Sequence, residues 1–272
     1  MNQDNIVIRQ ETPSDYAAVE HLTREAFWNV YRPGCLEHYV VHVLRHDPAF
    51  VPELDLVMER EGELIGHVLY TRSFITADDG SQVPTMTFGP ISIRPDLQRQ
   101  SLGKYLLDRS MEQAAELGAG ALCIEGNLDF YGKSGFVVAG TRGIRYHGEP
   151  EQEIVPYFLL KELRPGFLDG VTGVYHTPQG YYVDEEAAEV FDRDFPPKEK
   201  KTARTIVLTG NKKEGLRQFA AGPLFSVSHA GSAINNLRSR SRRSSWNTGR
   251  WGTRPVRRYP PRCGRSYGTP TS

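Results

Sequence analysis

The amino-acid sequence predicts an α/β domain over residues 5–165, because apolar strand-like segments alternate with amphipathic helical segments along this stretch. Residues 89–107 are the clearest example. There a β-branched strand runs through a polar, proline-started loop into a helix with apolar residues at Leu102, Leu106 and Leu107. A second apolar strand, residues 121–125, runs into a short helix. Strands that alternate with helices in this way predict a sheet with helices packed on its faces.

The segments before residue 90 carry recognisable start and stop signals. Pro13 suits the first turn of a helix, Asp47-Pro48 ends a helix, and Glu61-Gly62 forms a turn between two apolar runs. The predicted elements are, in order, a strand at 6–8, a helix at 13–27, a helix at 35–45, a hairpin of strands at 54–59 and 63–70 whose second strand continues toward Ala77, a turn at 78–80 and a strand from Val83.

The predicted fourth strand contains Gly89-Pro90, which a central strand should not carry, since proline cannot donate to the ladder. Both residues mark bulges or places where neighbouring backbones part. A simple irregularity at a sheet edge is the alternative.

The later elements follow the same logic. Gly118 is a plausible C-cap, and Asp184 can cap a helix that Pro196-Pro197 ends. The predicted elements are a helix at 102–117, a strand at 121–125, a short helix carrying Tyr131, a strand from Phe136, a strand at 154–163, then an ordered extension at 166–198 made of a hairpin (171–175 and 180–183 around 177–179) and a helix at 185–195.

Composition favours a soluble cytoplasmic enzyme. No apolar run approaches the roughly 20 residues that span a bilayer, and the first residues resemble no signal peptide. The three cysteines are scattered, so they suggest neither a disulfide framework nor a zinc site.

Charge divides the chain into an acidic part and a basic part. Residues 1–198 hold 31 Asp and Glu against 17 Lys and Arg, whereas residues 199–272 hold 2 against 16. The basic part is rich in arginine, serine and glycine without helical or strand periodicity, which predicts a disordered tail. Two readings stay open: a tail for nucleic acid or acidic partners, or an out-of-frame read past the natural end of the protein, which is preferred.

Residues 98–104 are a candidate anion site. The first turn of a helix has unpaired N–H groups and the positive end of the helix dipole. Backbone amides here can wrap a diphosphate, with Arg99 and Lys104 adding positive charge.

Two motifs carry a resemblance to a known family. Gln98-Arg99-Gln100-Ser101-Leu102-Gly103 resembles the acetyl-CoA pyrophosphate loop of the GNAT superfamily of N-acetyltransferases, Gln/Arg-x-x-Gly-x-Gly/Ala. Asn127-Leu128-Asp129-Phe130-Tyr131-Gly132-Lys133-Ser134-Gly135-Phe136 is similar to the family's Tyr-x-x-x-Gly-Phe segment, in a form found in a bacterial subgroup of predicted N-acetyltransferases. Ser101 stands where the family usually has glycine. Because glycine lets the backbone approach the phosphate closely, we expect weaker cofactor binding here.

The resemblance implies a mixed central sheet flanked by helices, with strands four and five splayed to receive the pantetheine arm of acetyl-CoA as co-substrate. Implied cofactor contacts are Ile91, Ser92, Ile93, Gln98, Arg99, Gln100, Ser101, Leu102, Gly103, Lys104 and Asn127. The strand-four residues would offer an N–H to the thioester carbonyl. No metal is expected: His38, His42 and His46 recur every four residues, but a solvated helix face explains them better than a metal site.

Two residues are implied for proton transfer. Tyr131 would protonate the departing thiolate, and Glu125 is the nearest candidate for the base that deprotonates the amine. Glu25, Glu37 or a water chain are alternatives for the base. Cys123 lies in an apolar strand, where an inert buried thiol is expected.

The resulting hypothesis is acetyl transfer from acetyl-CoA to an amine, on a small molecule or a protein, by direct transfer in a ternary complex. A non-catalytic acyl-CoA-binding module is the alternative, suggested by Ser101 and by the absence of an acid from strand four. A nucleic-acid-associated role would depend on the basic tail alone, and no membrane partner is expected.

Overall fold

The computed structural model describes residues 5–201, which contain nine strands and five α-helices. The strands are β1 (Ile6–Gln10), β2 (Leu56–Arg60), β3 (Glu63–Ala77), β4 (Gln82–Ile93), β5 (Ala121–Glu125), β6 (Val137–Val138), β7 (Ile144–Tyr146), β8 (Phe158–Glu162) and β9 (Gly173–Tyr175). The helices are α1 (Tyr16–Phe27), α2 (Glu37–Leu44), α3 (Leu102–Glu116), α4 (Leu128–Tyr131) and α5 (Glu185–Phe191).

The strands form one mixed sheet in the order β1-β2-β3-β4-β5-β8-β6. Neighbours along this path are antiparallel except β4 and β5, which run parallel. The long strand β3 has two partners on one edge, because β2 pairs with its first half and β9 pairs with its last residues. β9 in turn pairs in parallel with β7. The central mixed sheet flanked by helices that the sequence predicts is therefore confirmed.

The alternation of side chains along β5 separates the two faces of the sheet. Leu122 and Ile124 pack in one core with α3, whereas Ala121 and Cys123 pack in another with residues of β7, β8 and β9. A third core holds α1 and α2 against β2 and β3. The helix α3 and the β7/β9 pair therefore cover opposite faces of β5.

The predicted bulge in strand four is present. Phe88 pairs with Tyr70 and Ile91 pairs with Val68, so Gly89 and Pro90 together lie opposite Leu69. β4 lies between β3 and β5, which excludes an irregularity at a sheet edge. The predicted turn at Glu61-Gly62 is also confirmed, since both residues take positive φ between β2 and β3.

The predicted C-terminal hairpin at 171–183 is wrong. β9 pairs with β3 and β7 instead, and residues 179–181 form a 3-10 turn rather than a strand. Residues 166–198 therefore contribute to the central sheet, and β7 was not predicted at all. The start of the predicted helix at 185 is confirmed, because the Asp184 side chain caps α5 by accepting from the Ala187 N–H (2.7 Å). The helix ends at Phe191 rather than 195, and residues 192–194 form a 3-10 turn.

Two further predictions, the solvated histidines of the second helix and the start of the tail at residue 199, differ from the structure beside α1 and α2. His38 is buried against Phe191 and Phe195 rather than solvated, because the segment after α5 covers this face. The backbone of Glu199 accepts hydrogen bonds from Trp28 Nε1 (2.9 Å) and Asn29 Nδ2 (3.0 Å). The predicted tail thus begins with residues packed on α1, and from residue 202 onward it lies outside the described residues. Within residues 5–201, no helix is long and apolar enough to cross a membrane.

Candidate active site

An opening in the sheet lies between β4 and β5. Within the described residues, these strands pair only at Met86 and Leu122, and the chains part beyond that point. The Arg94 N–H bonds the Ile65 carbonyl of β3 (2.9 Å). Because successive strand residues point their amides to alternate sides, Ser92 also faces β3, whereas the N–H groups of Ile91 and Ile93 face the opening.

Ser92 is therefore not placed as the sequence implied. Its backbone faces β3, and its side chain hydroxyl donates to Thr23 Oγ1 (3.0 Å). Ile91 and Ile93 keep the implied position. The carbonyl of Ile93 accepts from Gln98 Nε2 (3.1 Å), which ties the loop before α3 to the edge of the opening.

The loop at 98–101 turns into α3 through two left-handed residues, Arg99 (φ 60°) and Ser101 (φ 63°). The Tyr105 N–H makes the bond to the Ser101 carbonyl that starts the helix (3.0 Å). The amides of Leu102, Gly103 and Lys104 precede it, so they have no acceptor further back in the helix. Amides of a turn with left-handed residues that leads into a helix can bind an anion, so this loop is a candidate anion site.

The two cations of this loop differ. Arg99 is exposed together with Gln100 and Ser101, and so its guanidinium is available to a bound anion. Lys104 instead pairs with Asp108, and the same carboxylate accepts from Ser134 Oγ (2.8 Å). The charge that the sequence assigns to Lys104 is thus already compensated within α3, which leaves Arg99 as the more effective cation for an anionic ligand.

Tyr131 lies where β5 leads into α4. Asn127 caps this short helix, since its Oδ1 accepts from the Asp129 N–H (2.8 Å). The Tyr131 ring is 2% exposed and packs edge-on against Phe88, Phe130 and Phe136. Burial raises the pKa of Tyr131 well above its ordinary value, so the phenol remains protonated at neutral pH.

Glu125 ends β5 on the face opposite α3. It is 8% exposed, and its Oε1 accepts from Tyr146 Oη (2.5 Å) and Thr177 Oγ1 (3.1 Å). Burial raises the pKa of the Glu125 carboxyl, while the hydrogen bonds from the two hydroxyls oppose that change. The sequence predicts Glu125 as a candidate base but does not indicate its contacts with Tyr146 and Thr177, because neither of these residues lies in a motif.

The other candidate bases, and the one candidate nucleophile, also have partners or are buried. Glu37 is buried and accepts from the Leu36 N–H (2.9 Å), and burial raises its pKa to about 7. Glu25 pairs with Lys198 (2.7 Å). Cys123 is fully buried, and burial raises the pKa of its thiol, as expected for an inert cysteine.

One buried cluster in residues 5–201 has the composition of a cation site. Glu11, Asp55 and His67 lie close enough to share an ion. Arg45 already binds Glu11 through two nitrogens (2.8 and 2.9 Å), and His67 Nε2 lies 2.8 Å from Asp55 Oδ1. Because a guanidinium occupies the Glu11 carboxylate, the cluster is better described as a buried ionic network than as a metal centre.

Comparison with known proteins finds one family whose sequence model matches part of the chain. The sequence model of the acetyltransferase (GNAT) family matches residues 17–136, which include both the loop before α3 and Tyr131. This part of the chain is similar to the GNAT acetyltransferases.

A curated relative matches the chain at low identity. The uncharacterized N-acetyltransferase YjhQ of Escherichia coli strain K12 is 27% identical over 105 residues, which is 38% of this chain and 58% of that relative. The match thus spans less than two thirds of the relative's length.

Two solved structures share the fold. The GNAT family N-acetyltransferase YhbS from Escherichia coli, in complex with CoA, is 23% identical with a TM-score of 0.56, over 65% of this chain and 92% of that one. A GNAT family acetyltransferase from Brucella melitensis, in complex with acetyl-CoA, is 24% identical with a TM-score of 0.52, over 65% and 98%.

Proposed function

We propose that this protein transfers an acetyl group from acetyl-CoA to an amine by direct transfer in a ternary complex. The observation that carries the proposal is the opening between β4 and β5, with an anion-binding helix start at its edge. Two solved structures with this fold were crystallised with CoA and with acetyl-CoA, and this supports the same co-substrate here.

The cofactor arrangement follows from the two faces of the opening. The pyrophosphate would lie on the amides at the start of α3, with Arg99 as its cation. The pantetheine arm would pass along the free edge of β4, where the N–H of Ile91 or Ile93 can polarise the thioester carbonyl. The acetyl group then reaches the face that carries Glu125, opposite α3.

The chemistry needs one proton removed and one supplied. A neutral amine attacks the thioester carbonyl, the C–N bond forms, and the C–S bond breaks to release CoA thiolate. Glu125, directly or through water, would accept the ammonium proton, and its raised pKa makes it a stronger base. Tyr131, protonated at neutral pH, would donate to the thiolate. A covalent acetyl-cysteine route is disfavoured because Cys123 is buried and its thiol pKa is raised.

A non-catalytic acyl-CoA-binding module is the second candidate. Ser101 favours the binding module, because a non-glycine residue with positive φ stands where the family has glycine. Turnover separates the two candidates. The test is thiol release from acetyl-CoA with a panel of amines: a polyamine, an aminoglycoside, a peptide with a free α-amine and a lysine peptide. Acetylation of any of them supports the enzyme, and CoA binding without turnover supports the module.

Charge reversal at Arg99 is expected to weaken CoA binding about tenfold or more, since it replaces an exposed cation of the anion site with a repulsive carboxylate. CoA should raise the melting temperature of the native protein and raise that of Arg99→Glu far less. Arg109→Glu is the matched control, because Arg109 is exposed on α3, the helix that follows the loop, and pairs with Glu112. Equal CoA-induced shifts in both variants would refute the placement of the pyrophosphate.

Ser101→Gly is expected to stabilise the fold by about 0.5–1 kcal/mol, because glycine adopts the left-handed conformation without the cost that a Cβ adds. It should also tighten CoA binding by letting the backbone approach the phosphate. Urea unfolding and calorimetric titration measure the two effects. Ser101→Ala serves as the control, since it removes the hydroxyl but keeps the Cβ. Weaker CoA binding by both variants would instead assign the hydroxyl to a phosphate contact.

A further inference from the structure

Three side chains from distant parts of the chain meet at the end of β5. Tyr146 Oη lies 2.5 Å and Thr177 Oγ1 lies 3.1 Å from the same oxygen of Glu125, and the two hydroxyls are 2.9 Å apart. Tyr146 ends β7, and Thr177 lies two residues after β9. The group therefore depends on the β7/β9 pair, which is covered by neither the two sequence motifs nor the family match.

The geometry treats the two oxygens of Glu125 differently. Both hydroxyls converge on Oε1, and Oε2 receives neither of these bonds. Two donors on one carboxylate oxygen fix the rotation of the group and stabilise its charged form against the cost of burial. A base in this site needs both properties, because it must point one oxygen at the incoming amine and remain ionised near neutral pH.

Thr177 also connects the group to open space. It lines a groove of about 790 Å³ on the protein surface, together with Asp47, Ser73, Phe74, His176 and Gln179. Glu125 alternates with Ala121 and Cys123 on the face of the sheet opposite α3. It does not itself line the groove, but Thr177, which does, donates to its carboxylate. An amine that arrives through this groove would meet Glu125 from the side opposite the cofactor loop.

We propose that Tyr146 and Thr177 are positioning residues that hold Glu125 as the base of the reaction, and that the groove lined by Thr177 admits the acceptor amine. The inference rests on the proposed function. It makes the segment after residue 165 part of the active site rather than an appendage to it.

The test is the pH dependence of kcat/KM for the amine of the panel that is acetylated fastest, measured at saturating acetyl-CoA. Tyr146→Phe is expected to move the acid limb to higher pH, so that kcat/KM measured on that limb falls about tenfold. Thr177→Val should act in the same direction more weakly, and Thr177→Ser should restore the native profile. Tyr175→Phe is the matched control, because Tyr175 is a buried tyrosine of neighbouring β9 that makes no hydrogen bond to Glu125 in the described structure.

Direct titration of the Glu125 carboxyl separates an effect on its pKa from a general loss of stability in the variants. The carboxyl pKa of Glu125, followed by ¹³C NMR in the native protein and in each variant, should move with the acid limb. Two outcomes would overturn the positioning role while leaving acetyl transfer by the native protein in place. In the first, the carboxyl pKa of Glu125 moves but the acid limb of the kcat/KM profile does not. In the second, the acid limb moves equally in Tyr175→Phe. No thiol release by the native protein with any amine would instead refute the proposed function, and the positioning role with it.

Discussion

Replacing Asp192 with alanine is expected to lower the free energy of unfolding by about 3–5 kcal/mol, because it leaves a buried guanidinium without its counter-ion. Arg24 is 1% exposed, and its Nε and Nη2 donate to the two oxygens of Asp192 (2.6 and 3.2 Å). Its Nη1 is already buried without a hydrogen-bond partner. The guanidinium lies 4.2 Å from the centre of the Trp28 ring. The next carboxylate, Glu25, is 4.0 Å from Nη1 and already pairs with Lys198 (2.7 Å), so it replaces the Asp192 carboxylate poorly.

Two further variants isolate the cause. Glu185→Ala removes a carboxylate from the same segment, but its partner Arg32 is about one third exposed, so a loss below about 1 kcal/mol is expected. The double variant Arg24→Met/Asp192→Ala should recover most of the stability, because it removes the stranded charge as well. Urea unfolding measures all three. A small effect of Asp192→Ala alone would show that water reaches Arg24 and that the segment after α5 does not seal this face.

This ion pair explains why the predicted boundary at residue 165 is not a structural one. Local patterns locate strands and helices well: the bounds of β5 and the cap of α5 follow from apolar runs and a capping residue. Pairing over long distances leaves no such pattern. β9 is three residues long and pairs with a part of β3 that lies about a hundred residues earlier in the chain. Local patterns therefore predict that this segment forms a hairpin with the residues that follow it.

The same limit applies to the site. The loop before α3 and Tyr131 can be predicted as site candidates because each lies in one continuous motif. Ser92 is predicted as a cofactor contact only because it lies between Ile91 and Ile93. The register of β3 with β4 shows that its backbone faces β3, whereas theirs face the opening. Tyr146 and Thr177 approach Glu125 through folding alone, and nothing in the sequence around them indicates an interaction with a carboxylate.

Tyr131→Phe is expected to slow the chemical step by about 10²-fold or more, equivalent to about 2.7 kcal/mol of transition-state stabilisation, because it removes the proton donor and keeps the ring. The three aromatic contacts of the ring do not involve the hydroxyl, so CoA affinity and folding should change little. Single-turnover measurement of acetyl transfer, under conditions where chemistry limits the rate, reads the step directly.

Tyr70→Phe is the matched control for this measurement. Tyr70 is fully buried in the same core as Tyr131, but its hydroxyl bonds Ser110 Oγ (2.7 Å) within the packing of α3. Loss of that hydroxyl should lower stability by about 1 kcal/mol without slowing the chemical step. If Tyr131→Phe keeps its full rate, the thiolate takes its proton from another source, and Tyr131 is a packing residue. If both variants slow equally, the effect comes from a disturbed core rather than from proton donation.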